Sequence, residues 1–153
     1  MKITYKYFIG VDPGLSGGIA VIDPVSNVIE VSKTPQTIQD FIDLLGKYMN
    51  ESVFCITEKV HSRPFNGAKA NFTFGYINGI LHTVLLISKI PHEMVSPQAW
   101  MKYYGMKKEK NETDTSWKNR LKGRAQQLFP KTKVTLWNAD ALLIAEYCKR
   151  NFK

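Results

Sequence analysis

Cysteine, histidine and acid are all in short supply. Two cysteines, Cys55 and Cys148, in 153 residues make no disulfide framework, and their apolar surroundings predict reduced thiols in a core. The three histidines, His61, His82 and His92, are scattered, and none has a Cys or His at a spacing that suits zinc. The apolar runs are short and interrupted. That excludes the pattern of a signal peptide or membrane span and predicts a cytoplasmic protein with no membrane partner. Thirteen Asp and Glu stand against twenty-one Lys and Arg, a formal net charge of +8. The shortage of acid is local. Residues 1–100 hold eight of each sign, whereas residues 101–153 hold thirteen basic side chains and five acidic ones. A neutral scaffold with a basic C-terminal third points to a polyanionic partner, nucleic acid ahead of acidic membrane. A merely soluble basic surface is the plainer alternative.

The length predicts a single domain over 1–153, and a hydrophobic content of 44% is enough for a real core. In "YKYFIGVDPGLSGGIAVID" the alternation of Tyr5, Tyr7, Ile9 and Val11 predicts a strand, and Gly18–Asp23 its hairpin partner. "NVIEVSKTP" reads as a third strand, and Ile38, Phe41, Ile42, Leu45 and Tyr48 give a helix over 36–50. "SVFCITEKV" is a nearly continuous apolar strand of the kind covered on both faces. The loop "HSRPFNGAK" leads to a long helix over 69–88, with Phe72, Gly75, Tyr76, Gly79, Ile80, Thr83, Val84 and Ile87 along one face. A short strand "HEMVSP", a helix begun by Pro97, a polar stretch, and helices near 115–129 and 138–151 follow. Strands first, then strand–helix alternation, indicate a layered α/β fold with a mixed sheet.

Three carboxylates occupy places that suit them badly. Asp12 ends the first strand and is followed by Pro13 and three glycines, Gly14, Gly17 and Gly18, which let another molecule approach the backbone. Glu58 shares a strand face with Phe54 and Ile56, so it needs a partner such as Lys59 or Arg63, or an open strand end. Asp140 lies on the helical stripe of Leu143, Ile144 and Tyr147, while Glu146 and Lys149 point elsewhere. Asn138 is the expected N-cap, and a first-turn Asp also suits the helix dipole. Singly, each has a structural explanation. Three at the ends of elements bordering one sheet predict one site, neutralised by a hard divalent cation, Mg²⁺ or Mn²⁺. Together with a basic flank they suggest phosphodiester hydrolysis, for which two ions about 3.5–4 Å apart can serve.

These residues resemble the RuvC-like Holliday junction resolvases of the RNase H-like superfamily, in particular their phage-encoded branch. "IGVDPGLSGGIAVID" resembles the family's first strand with its catalytic acid, here Asp12. "ITEKVHSRP" resembles the strand with the catalytic Glu, here Glu58, and "FTFGYINGIL" the helix of the dimer interface. "VSPQAWMKYYG" and "ADALLIAEY" resemble the later strand–helix and the final helix, whose acid is here Asp140. The resemblance implies an RNase H-like mixed five-stranded sheet flanked by helices on both faces. It also implies a homodimeric, Mg²⁺-dependent endonuclease with no small-molecule cofactor, binding four-way DNA junctions and nicking two strands of like polarity. Such an enzyme would act in recombination, repair or phage DNA processing, in the host cytoplasm if phage-encoded.

Asp12, Glu58 and Asp140 are then the metal and catalytic residues, and Lys118 matches a lysine the family uses near the scissile phosphate. Arg63, Lys102, Lys107, Lys108, Lys118, Arg120, Lys122 and Arg124 are the candidate DNA contacts. Phe72, Gly75, Tyr76 and Gly79 are the candidate dimer contacts, with the two glycines spaced for close helix packing or for packing on the sheet. The chain departs from the family in two places. Trp137 stands where cellular members commonly carry a further Asp, which leaves the second ion's ligands open. Met101 follows Trp100 where the family has a basic residue, and Lys102 comes next. Some relatives place an aromatic wedge in the stretch matching His61–Phe65. Two other functions remain open here: a nuclease acting on flaps and forks generally, and a module that holds branched DNA without cutting it. An actin-like or sugar-kinase ATPase shares the strand–acid–hairpin start, but it needs two such domains, which 153 residues cannot supply.

Overall fold

The alternating start of the chain becomes the centre of a sheet. A computed structural model describes residues 4–152 and shows five strands: β1 (Tyr7–Asp12), β2 (Gly18–Ile22), β3 (Val28–Lys33), β4 (Val53–Glu58) and β5 (His92–Val95). The order across the sheet is β3-β2-β1-β4-β5. β1 is antiparallel to β2 and β2 to β3, whereas β1–β4 and β4–β5 are parallel. Five α-helices cover it: α1 (Ile38–Leu45), α2 (Ala68–Ile87), α3 (Pro97–Tyr103), α4 (Asp114–Leu128) and α5 (Ala139–Asn151). The mixed five-stranded α/β sheet with helices on both faces is the architecture expected.

Strand parity sorts the two cores. Ile9, Val11, Ile19, Val21, Val53 and Cys55 face α1 and α2, while Phe8, Ala20, Ile22, Phe54 and Ile56 face α3, α4 and α5. Asp12 and Glu58 belong by parity to the second set, so both carboxylates point to the side of the sheet on which α5 lies. Gly10 lets α5 lie directly on β1: a Cβ there would sit 2.2 Å from the Ala145 backbone N and 2.3 Å from the Ala141 O. Any side chain at that position would push α5, and Asp140 with it, off the sheet. Cys55 and Cys148 are free and buried, as expected.

The helix starts follow from capping chemistry. Thr37, Ser96 and Thr113 each accept a hydrogen bond from the backbone N–H three residues on. Asn138 takes the N-cap position of α5, as expected, and puts Asp140 in the first turn, but its side chain makes no capping hydrogen bond. Its Oδ1 accepts from the Thr135 N–H at 2.8 Å and its amide donates to the Lys133 carbonyl, so it closes the turn before the helix instead. The first helix is shorter than its apolar periodicity predicts, ending at Leu45 and continuing as a single 3-10 turn, Gly46–Tyr48.

Three other expectations need correction. Glu146 and Lys149 do not point away from the core: they are 2% and 7% exposed. Helix α5 is sandwiched between the sheet and α3 and α4, so it has no solvent face to give them. Glu146 instead takes ion pairs from Lys149 (3.0 Å) and Arg150 (2.7 Å) and a hydrogen bond from the Ser26 hydroxyl (2.7 Å), which ties the β2–β3 turn to α5. Ile80 and Val84 do not belong with Phe72 and Tyr76. They are buried with Ile77, Leu81 and Leu85 against the sheet, whereas Phe72 (77%) and Tyr76 (55%) are exposed. Finally, α2 is long and apolar enough, by length and composition, to cross a membrane. Counting apolar runs missed this because Gly, Thr and Asn interrupt the helix without charging it. In the fold its apolar stripe completes the core with α1.

Candidate active site

Two adjacent parallel strands bring Asp12 and Glu58 together. Val11 pairs with Thr57, so the carboxylates stand at the next rung, at the C-terminal ends of both strands. β1 continues into a hairpin on one side while β4 lies on the other, which makes this the switch point where open α/β sheets form their binding crevice. The first turn of α5 adds Asp140 from above. All three carboxylates line one cleft of about 500 Å³, together with Arg63, Lys118 and Trp137.

The loop after β1 is built around Asp12. Its Oδ1 accepts the Gly14 N–H at 3.1 Å, and its carbonyl accepts the buried Thr34 hydroxyl at 3.0 Å. A Cβ on Gly17 would lie 2.3 Å from the Asp12 carbonyl oxygen, so glycine is needed there for the loop to fold back. Glu58 Oε2 accepts the indole N–H of Trp100 at 2.8 Å. Trp100 is the partner the sequence did not reveal; Lys59 and Arg63 make no hydrogen bond to Glu58 among the described residues. Trp100 is fully buried, and its indole N–H finds in Glu58 the acceptor that burial requires. A bond to a charged acceptor contributes about 1.5–3 kcal/mol and leaves Oε1 of Glu58 for another ligand. The Arg63 loop is pinned by Asn71, whose amide donates to the Arg63 and Asn66 carbonyls while its Oδ1 accepts the Arg63 N–H.

The electrostatics are those of a site short of positive charge. Burial, then the charge of Asp12, pushes Glu58 up to about 7, against the Trp100 bond and Arg63. Burial, then Asp12 and Glu58, pushes Asp140 up to about 7, with Lys118 opposing. Burial also raises Asp12, offset by the Gly14 bond, Arg63 and Lys118. Among the described residues, no group of three or more His, Cys, Asp or Glu side chains closes into a metal cage. The donor set nevertheless fits a hard cation: oxygen ligands only, no thiol or imidazole in the cleft, and carboxylates held near neutrality for want of counter-charge.

Stability should depend on pH with a definite sign. Glu58 and Asp140 have folded-state values near 7 against ordinary values of 4.5 and 3.8, so folding favours their protonated forms. The resulting stability is complete below about pH 4 and is lost as pH rises through 7. In EDTA the melting temperature should therefore fall between pH 4 and 8. A loss of the order of 3 kcal/mol corresponds to roughly 6–12 °C for a chain of this size. Calorimetry across that range checks it, and a flat or rising profile would contradict it.

The remaining candidates divide. Arg63 and Lys118 line the cleft; Lys102, Lys107 and Lys108 line a second cavity across α4. Lys108 pairs with Asp114 at 2.5 Å and Arg120 with Glu112 at 2.8 Å, while the Arg124 guanidinium lies 5.8 Å from the Tyr104 ring centroid. Lys122 lies on α4, outside the cleft lining. Phe72, Gly75, Tyr76 and Gly79 lie outside it too, though Phe74 on the same helix lines it. Leu15, Phe74 and Leu136 add apolar lining to the cleft, from three segments that no local pattern groups.

Two solved structures share this arrangement of elements. RuvC of Thermus thermophilus in complex with a Holliday junction substrate aligns with a TM-score of 0.64 at 15% identity, covering 92% of this chain and 90% of that one. The chain has the RuvC fold. A second Thermus thermophilus RuvC structure aligns with a TM-score of 0.61 at 16% identity, covering 91% of this chain and 90% of that one. No family model and no curated protein matches the sequence. On the RuvC-like fold, then, the three carboxylates lie at the ends of β1 and β4 and in the first turn of α5, where the sequence motifs put them.

Proposed function

We propose that this chain is a divalent-cation-dependent endonuclease that resolves four-way DNA junctions by paired nicking. The observation that carries the reading is the convergence of Asp12, Glu58 and Asp140 with Lys118 and Arg63 in one cleft of a RuvC-like fold. Asp12, Glu58 and Asp140 would hold Mg²⁺, or Mn²⁺ in its place. When bound, the cation activates the attacking water and stabilises the leaving oxygen. Lys118 and Arg63 are positioned to neutralise the scissile phosphate. Trp100 fixes the orientation of Glu58, the Gly14 N–H that of the Asp12 carboxylate, and the Thr34 hydroxyl holds the Asp12 backbone carbonyl. Phe65, fully exposed in the loop between Arg63 and Asn66, which both line the cleft, is the side chain we assign to opening the junction centre. The work of such an enzyme is recombination, repair or phage DNA processing in the cytoplasm.

Incubation of the protein with a synthetic four-way junction, a Y-shaped duplex and a linear duplex, with Mg²⁺ and with EDTA, tests the reading. Selective cutting of the junction with Mg²⁺ supports it. Equal cutting of the Y form would favour a general flap and fork nuclease, and binding without cutting a non-cleaving module. In the melting experiment, Mg²⁺ should raise stability strongly at pH 8 and little at pH 5, where the carboxylates are protonated.

The basic third should carry the affinity. Lys102, Lys107 and Lys118 are exposed and pair with no carboxylate among the described residues. Removing one lysine that meets a phosphate should reduce the slope of log K against log salt by about 0.9 on duplex DNA. Replacing the three by Gln should thus flatten the slope by up to about 2.7. Titrations at several salt concentrations measure it; an unchanged slope would take this face off the DNA.

A further inference from the structure

Across α4 from the catalytic cleft lies a second cavity, of about 560 Å³. Met101, Met106 and Trp117 make its apolar lining, Gln98 stands at it with an exposed amide, and Lys102, Lys107 and Lys108 surround it. The polar stretch after α3 closes one side, turning at Gly105 with φ of +66°. Trp117 opens into this cavity while Lys118, the next residue on α4, opens into the cleft. The two sites are therefore one residue of helix apart. Lys108 bridges them electrostatically: it pairs with Asp114, whose carboxyl also feels Lys118 and Arg63.

We infer that this cavity receives a nucleobase unstacked from the junction, next to the nucleotide being cut. The inference rests on the nuclease reading above and adds a base-binding subsite to it. Three features favour this occupant. The accessible apolar lining is the thioethers of Met101 and Met106, polarizable groups that accept a flat aromatic ring without demanding one shape, backed by Trp117, which is 9% exposed with the Arg120 guanidinium 5.1 Å from its ring centroid. Its charged side chains are all lysines, matching the phosphates on either side of an extruded base, and no carboxylate lines it. Only α4 separates it from the cleft, with Trp117 and Lys118 consecutive on that helix, so a strand whose phosphate lies at Lys118 can carry its neighbouring nucleotide to the cavity's side. Gln98 then supplies one donor and one acceptor to the base edge, enough to make incision depend on base identity.

The test uses the full-length protein, a four-way junction with 2-aminopurine placed in turn at the nucleotides flanking the cut, and two variants that close the cavity. Met106→Trp fills it from within, and Gln98→Trp blocks its mouth from an exposed position where folding is not at risk. With wild type, fluorescence should rise at one flanking position as that base leaves the stack, and fall back in both variants. Junction affinity should drop roughly five- to tenfold in the variants, the order of a single base–aromatic stack. The salt slope should stay unchanged, because every lysine that meets a phosphate is still in place. The cuts should also spread over neighbouring positions. Absence of Mg²⁺-dependent cutting by wild type would overturn the nuclease reading and this inference with it. Cutting by wild type, with Gln98→Trp keeping the fluorescence rise, affinity and cut pattern of wild type, would overturn the base subsite alone and assign the cavity to another occupant.

Discussion

Asp140→Asn should bind a four-way junction as wild type does and fail to cut it. Asp140 is held in the first turn of α5 on a helix that Gly10 seats against β1, so the isosteric amide keeps the shape and removes one anionic ligand. A bound cation contributes several kcal/mol of charge stabilisation in the transition state, so weakening its hold should slow cutting on the order of a thousandfold. Asp12→Asn and Glu58→Gln should do the same. Binding should stay within roughly threefold, because the basic third rather than the carboxylates meets the phosphates. Misfolding has its own control. Burial and the neighbouring acids push Asp140 up to about 7, so removing the charge should raise the melting temperature in EDTA at pH 8. A stable Asp140→Asn protein that cuts at a near wild-type rate would show the site to be misassigned.

Gly79→Leu should yield a folded monomer that no longer makes paired incisions. Gly75 and Gly79 lie with Phe72 and Tyr76 on the face of α2 turned away from the sheet, and a Cβ on either glycine meets nothing within 4 Å. Leucine at 79 therefore fits the isolated chain, whose core uses Ile77, Ile80, Leu81, Val84 and Leu85 instead. In a dimer packed through this face, the same side chain would hold two helices apart. A two-fold dimer presents two equivalent clefts to two symmetry-related strands. Separating them should reduce paired over single nicks by roughly a hundredfold, the order of advantage that linked sites confer. Sedimentation and circular dichroism should report a monomer of native helix content. A Gly79→Leu protein that remains dimeric and resolves junctions would move the interface elsewhere.

The fold was legible where β1 alternates, where β4 is apolar throughout, and where apolar residues recur at helical spacing in α1 and α2. The pairing of β1 with β4 and the two acids at their ends follow from both strands being apolar, adjacent and open at one end, whereas the five-stranded sheet with helices on both faces was implied by the family resemblance. Helix α5 was harder. Periodicity assumes that a helix has a wet side, and α5 has none, so the burial of Glu146 and Lys149 could not be read from spacing. Their mutual pairing makes that burial tolerable, and Ser26 completes it from a turn 120 residues away in sequence. Asn138 stands at the N-cap as its spacing predicts, but its side chain serves the preceding turn, which an Asn before a helix can do as easily as it caps the helix. On α2, one face was expected where there are two, because Gly and Thr gave no contrast between the stripe that meets the sheet and the one that does not. The hydrogen bond from Trp100 to Glu58 and the apolar lining of Leu15, Phe74 and Leu136 depend on tertiary approach alone. No local pattern records them.

A supercoiled plasmid that extrudes a cruciform tests junction resolution most directly, because its products separate paired from single incision. With Mg²⁺ the protein should convert it straight to linear DNA, with nicks at symmetry-related positions on two strands of like polarity, and with EDTA it should leave the plasmid supercoiled. Supercoiled plasmid left uncut in Mg²⁺, while the protein still binds the cruciform, would contradict a resolving nuclease.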